Sequence, residues 1–292
     1  MKKTVIAVLA LALATGCVPK DPKEVVRRVD EKIYYPAKNG LLSFSCRVQS
    51  PYVEEMFSRL RESVEGSAEV LDPLKVETRF YWRAGYGGKF LIKGIPDELY
   101  QLQNSVGQVF EGTDIVIMPI TEQSQFDHFR VTLERERGRL TVVGKDSDPK
   151  STFPQYDLVV EPRSWLIVER RFYGGTFVSV SKPYFQSWKG LRYPVKIETV
   201  HDEGEMSYRS LVEMQYQEIK GHLLLDKMTY TFEKPDGQKM VGPVRLFFSE
   251  FELNPNIPPD FFQGGKISFF NPEPERRPAP SPDKDRGKKP RK

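Results

Sequence analysis

Cysteine and histidine are scarce in this chain: 292 residues carry 2 cysteines and 3 histidines. His128, His201 and His222 stand far apart, and no Cys-x-x-Cys or His-Glu-x-x-His is present, so the common zinc modules and metallohydrolase helices are excluded. His201-Asp202-Glu203 with Glu205 falls on an expected hairpin tip, where polar residues are ordinary, and no metal site is assigned to it. A Gly-x-Ser-x-Gly elbow is also missing. Gly85-Tyr86-Gly87-Gly88-Lys89 lacks the spacing of a phosphate loop, and Phe90 replaces the required Ser or Thr; it reads as a tight turn. The sequence thus offers no catalytic residue, no metal ligand set and no cofactor motif, and an enzyme is not expected.

Long apolar runs are lacking too. The clearest is Val5 to Ala14, which as a helix covers about 15 Å, half of a hydrocarbon core of ~30 Å. Preceded by Met1-Lys2-Lys3 and followed by small residues, it describes a signal peptide over residues 1–16. Ala14-Thr15-Gly16 fits an ordinary cleavage site, but the cysteine directly after it resembles a bacterial lipobox, Leu13-Ala14-Thr15-Gly16-Cys17. Cys17 is therefore the candidate lipidation site and the candidate mature N-terminus, tying the chain to a membrane. Val18 is not the Asp that retains lipoproteins at the inner membrane of enteric bacteria, so the periplasmic face of the outer membrane is the expected location. Cys46 shares a strand face with Leu42, Phe44 and Val48 and reads as a small buried hydrophobe; a Cys17–Cys46 disulfide is the alternative that lipidation would remove.

Charge excludes another class. The formal net charge is +4, but Lys2 and Lys3 belong to the signal, and residues 272–292 hold eight basic residues against four acidic ones. Residues 4–271 therefore carry 4 − 2 − 4 = −2, and no basic face for nucleic acid is expected. Residues 272–292 are rich in Pro, Lys and Arg and contain no aromatic residue, which predicts a disordered tail.

Between these ends, Asp21-Pro22 and Ser50-Pro51 are cap-plus-proline helix starts. Val25, Val26, Val29 and Ile33 follow the first at helical spacing; Val53, Met56, Phe57, Leu60 and Val64 follow the second. A third helix is expected from Pro96-Asp97 through Phe110. Elsewhere apolar and polar residues alternate, as in Phe80 and Trp82, Val131 and Leu133, or Met206, Tyr208, Val212, Met214 and Tyr216. This period of two describes long antiparallel strands with one buried face. Arg137-Gly138, Glu203-Gly204, Lys220-Gly221 and Pro235-Asp236-Gly237 mark hairpins. The expectation is a mainly β (α+β) fold without a parallel strand–helix–strand rhythm.

The stretch Leu246-Phe-Phe-Ser-Glu-Phe-Glu-Leu-Asn-Pro-Asn-Ile-Pro-Pro-Asp-Phe-Phe262 resembles the closing segment of the LolA/LolB-like superfamily of periplasmic lipoprotein carriers. Leu41-Leu-Ser-Phe-Ser-Cys46, Phe80-Tyr-Trp-Arg-Ala-Gly85, Lys89-Phe-Leu-Ile-Lys-Gly94 and Leu191-Arg-Tyr-Pro-Val-Lys-Ile-Glu198 resemble its strands. The resemblance spans about residues 22–270; the helix at 51–64 and the Pro/Lys/Arg-rich tail depart from the pattern. It implies a curved antiparallel, unclosed half-barrel covered by helices, over residues 17–271. It further implies an apolar cavity that holds the acyl part of a lipid or lipoprotein, without catalysis or cofactor. The candidate cavity walls are Phe80, Trp82, Val131, Leu133, Val212 and Met214, each on the apolar side of a long strand. Cys17 matches the lipid-anchored receptor type. A second reading keeps the same fold but has it bind an envelope protein partner, as a sensor or interaction lipoprotein.

Overall fold

The computed structural model describes residues 19–63, 71, 74–148 and 150–270. Cys17, the signal segment and the tail lie outside the described residues. Helix α1 spans Pro22–Lys32, capped by the Asp21 side chain, which accepts from the Lys23 amide at 3.0 Å. Strand β1 (Ser43–Gln49) and helix α2 (Pro51–Ser63) follow, then β2 (Glu77–Arg83) and β3 (Gly87–Lys93). The third expected helix is a 3-10 turn at Asp97–Leu99 leading into α3 (Tyr100–Phe110). Two short helices that the pattern did not reveal come next, α4 (Asp114–Ile117) and α5 (Glu122–Phe126).

The remaining elements form a meander: β4 (Phe129–Glu136), β5 (Arg139–Asp146), β6 (Gln155–Glu161), β7 (Leu166–Tyr173), β8 (Val178–Trp188) and β9 (Leu191–Asp202). It continues through β10 (Tyr208–Ile219), β11 (His222–Glu233) and β12 (Lys239–Leu253), and β13 (Ile267–Phe270) ends the described chain. All thirteen strands belong to one sheet, ordered β13-β3-β2-β1-β12-β11-β10-β9-β8-β7-β6-β5-β4. The two end strands do not pair with each other, so the half-barrel is unclosed. Every ladder is antiparallel except β13 on β3, a parallel pairing that no alternation announced.

Turn chemistry sets the hairpins. Arg137-Gly138, Lys189-Gly190 and Lys220-Gly221 each place both central residues at positive φ, from 47° to 85°. That geometry matches the twist of the flanking strands, and glycine adopts it without the Cβ clash. Met206 leaves the expected strand face: it sits in a 3-10 turn at Gly204–Met206 and is exposed, because the β9–β10 connection is longer than a two-residue turn.

Two apolar clusters fill the inner face. The larger gathers Phe44, Cys46, Phe80, Phe90, Ile92, Met228, Leu246 and Phe248 from the sheet against Val53 and Phe57 of α2 and Val106 and Phe110 of α3. The smaller packs Val25, Val26 and Val29 of α1 and Phe126 of α5 against Val142, Tyr156, Leu158 and Val160. α1, α2 and α3 bury residues of the stripes their spacing predicted, Val64 lying outside the described residues, so these covers are held chiefly by apolar area removed from water. The polar seam of the smaller cluster is fully partnered. The Asp30 carboxylate accepts from Tyr35 Oη at 2.8 Å and from the Glu122 and Gln123 amides at 2.9 and 3.0 Å. The Glu122 carboxylate accepts from Tyr156 Oη at 2.6 Å and from Arg170 Nε and Nη2 at 2.9 and 2.7 Å. This seam joins α1 to α5, and α5 to β6 and β7.

Candidate functional site

Cross-strand pairing fixes which residues share the inner face. Trp82 pairs with Phe44 and Phe80 with Cys46; Met214 pairs with Met228, and Val212 with Tyr230 and Ile197. At the far side, Val131 pairs with Gly144 and Leu133 with Val142. All six candidate wall residues therefore lie on the inner face, but the structure distributes them. Phe80, Trp82 and Met214 are core residues of the larger cluster, with Val212 half-buried at its margin. Val131 and Leu133 flank the smaller cluster at the β4 edge. Phe80 already has ring neighbours on both sides, Phe90 at 4.9 Å and Phe44 at 5.7 Å between centroids.

Between the two helical covers the inner face of β7–β11 is only partly covered. One row of paired residues crosses it as Arg170, Ser181, Thr199, Ser210 and Phe232. The next row towards the hairpin tips is Phe172, Ser179, His201 and Tyr208, and the row on the other side contains Pro183, Ile197, Val212 and Tyr230. Apart from the buried Pro183 these residues are half-buried, so the strip is an open trough. Residues 33–36 bridge one end: Ile33 pairs with Arg192, and Tyr34 Oη accepts from the Leu223 amide at 2.9 Å. The other end opens between the hairpin tips.

The trough is amphipathic. His201 is stacked between Phe177 at 4.8 Å and Tyr208 at 4.7 Å, and its Nε2 lies 3.2 Å from the Glu203 carboxylate. That contact and the Thr176 hydroxyl hold the Glu203 carboxyl below its ordinary range. Ser181 and Thr199 share a hydrogen bond at 2.8 Å. Tyr230 Oη donates to the Val109 carbonyl of α3, and burial pushes its phenol up. Chemically the surface can take an apolar chain along Ile197, Val212 and the aromatic rings, with hydroxyls nearby for a polar atom. It holds no nucleophile paired with a base, and no group of three or more His, Cys, Asp or Glu side chains is arranged for a metal among the described residues.

Sequence reasoning missed Ser179, Ser181 and Thr199 because alternation misleads there. On β8 and β9 the outward residues are Val180 and Val200, which pair with each other, while the inward ones carry hydroxyls. The run Val178-Ser179-Val180-Ser181 was the available signal.

No family model matches the chain, and no curated protein does. Among solved structures, a LolA superfamily protein from Nitrosomonas europaea is 10% identical with a TM-score of 0.30, over 83% of this chain and 97% of that one. A putative outer membrane lipoprotein-sorting protein domain from Vibrio parahaemolyticus is 8% identical with a TM-score of 0.28, over 83% and 97%. A DUF1329 family protein from Desulfovibrio piger is 8% identical with a TM-score of 0.32, over 83% and 95%. The chain is similar to these proteins in architecture, and nothing about what its trough binds follows from them.

Proposed function

We propose that this chain is a bacterial envelope lipoprotein, anchored through Cys17 at the periplasmic face of the outer membrane. Its half-barrel binds a lipid, or the acyl part of a lipoprotein, for transfer or sorting. One observation carries the reading: between two covered cores, a partly covered amphipathic trough crosses the inner face at Ile197, Val212, Tyr230 and the His201–Tyr208 stack. A half-buried inner strip of that kind supports a binding role, since the rest of the face is closed by its own helices.

A sixteen-carbon chain fully removed from water gains roughly 12 kcal/mol at ~0.8 kcal/mol per methylene. Association costs several kcal/mol and burial in an open trough is incomplete, so micromolar or weaker affinity is expected. The test is displacement of a fluorescent fatty acid from the full chain and from Val212→Glu. The new carboxylate would lie beside Ile197 and Tyr230, and its desolvation should weaken binding at least tenfold. Arg209→Glu, exposed on the outer face, is the control and should bind as the parent does. Absence of fatty-acid binding by the folded parent, or equal binding by both variants, would sink the lipid reading and favour a protein partner.

A further inference from the structure

A second groove, with an apolar floor and a charged rim, lies apart from the trough at the edge strand. α1, α5 and β4 enclose a groove of about 380 Å³, within the ~300–1,000 Å³ range of small-molecule sites. Val26, Phe126, Phe129 and Val131 form its apolar lining, and Lys23, Glu24, Arg27 and Asp127 line it with charge of both signs. Phe126 is seated deeply because Gly144 has no Cβ: one added there would meet the Phe126 ring at 2.8 Å. Since β4 is the last strand of the sheet, the groove opens past the sheet edge.

The path of the chain says what can reach it. Pro19 is the first described residue, and its carbonyl accepts from Arg135 Nη2 of β4 at 2.7 Å. Asp21 then lines the groove and caps α1. Cys17 precedes Pro19 by two residues, at most about 7 Å of extended chain. Any group carried on the Cys17 sulfur is thus tethered within about 7 Å of chain from Pro19, two residues before the groove-lining Asp21, and so short a tether gives an effective concentration in the millimolar range. A weak apolar site suffices under that condition.

We propose that this groove shelters an acyl chain carried on the protein's own Cys17. The inference rests on the lipoprotein reading and deepens it. The anchor divides between bilayer and groove, and because one acyl chain alone gives marginal membrane binding, moving one chain into the groove lowers the hold of the membrane. The site is separate from the trough, so cargo on β7–β11 and the anchor chain at β4 do not compete for the same surface.

The test attaches the chain chemically, so that it does not depend on cellular lipidation. The full 292-residue chain is produced without export and alkylated at Cys17 with N-hexadecylmaleimide or, as control, N-ethylmaleimide. Cys46 is fully buried, and burial pushes its thiol up, so Cys17 is the reactive cysteine. Amide hydrogen exchange over residues 22–27 and 129–133 is then compared. Several-fold slower exchange in the hexadecyl form, abolished by Val131→Trp or by Gln123→Trp at the groove margin, is the expected result. Equal exchange in the two alkylated forms overturns the groove assignment. The mass of the naturally exported protein separately reports whether Cys17 is lipidated, so the two failures are distinguishable.

Discussion

Arg170→Met should be among the most costly single changes in the molecule, although it removes no apolar contact from either core. Glu122 is 3% exposed, and Arg170 gives it two charge-assisted hydrogen bonds on one carboxylate oxygen, at 2.9 and 2.7 Å. Methionine preserves the aliphatic volume but leaves the Glu122 carboxylate with Tyr156 Oη as its remaining side-chain donor, inside an apolar cluster. Breaking a buried pair from one side costs about 3–5 kcal/mol, because the other charge stays desolvated. At a urea slope of about 3 kcal/mol per molar, the unfolding midpoint should fall by 1 M or more. The double variant Glu122→Gln with Arg170→Met removes both charges and should lose less than Arg170→Met alone. A loss under about 1 kcal/mol for the single variant, or a double variant that is less stable still, would refute the claim that this pair holds α5 on the sheet.

Three further outcomes follow from particular contacts. Gly144→Val should destabilise by about 1–3 kcal/mol, read as a urea midpoint, because a Cβ at that position overlaps the Phe126 ring; an unchanged midpoint would mean that Phe126 moves freely. Burial, and then the Glu122 charge, raise the Tyr156 phenol well above its ordinary 10.0, so its neutral form is what the fold retains. That stability is fully present below pH 10 and is lost as pH rises beyond it, by up to about 1.4 kcal/mol per pH unit, and Tyr156→Phe should flatten the alkaline limb of a pH–stability curve. Lys89 Nζ donates to the Phe261 and Gln263 carbonyls at 2.9 and 2.7 Å, so Lys89→Met should make residues 254–270 more sensitive to limited proteolysis while the midpoint of the body changes little.

Where one face of an element is buried and the other wet, the sequence was legible. α1 and α2 both begin at the expected proline, but only Asp21 caps, since the buried Ser50 Oγ before α2 has no hydrogen-bond partner; the hairpins at Arg137-Gly138 and Lys220-Gly221 turn where glycine permits positive φ. Phe80, Trp82 and Met214 were correctly placed on the apolar face, but period-two spacing carries no information on whether that face meets a helix or a cavity. That is why residues of two separate clusters read as one wall. The trough was illegible for the converse reason: a half-buried inner strip tolerates Ser179 and Ser181, so its faces lack the contrast that periodicity detects. β13 was hidden because its pairing with β3 depends on how residues 254–266 cross the sheet, held by Arg83 and Lys89 on the backbone carbonyls of Ile257, Phe261 and Gln263. Long-range backbone capture of this kind leaves no local pattern.

The central claim is that the half-barrel carries an acyl ligand on its inner face. Mass spectrometry of the molecules released on denaturing the natively purified full chain, run beside Val212→Glu, tests it most directly. The account predicts a lipid or acylated peptide stoichiometric with the parent protein and strongly depleted from the variant, with Arg209→Glu loaded like the parent. A folded parent that releases no acylated species, or a variant that releases as much as the parent, would contradict it.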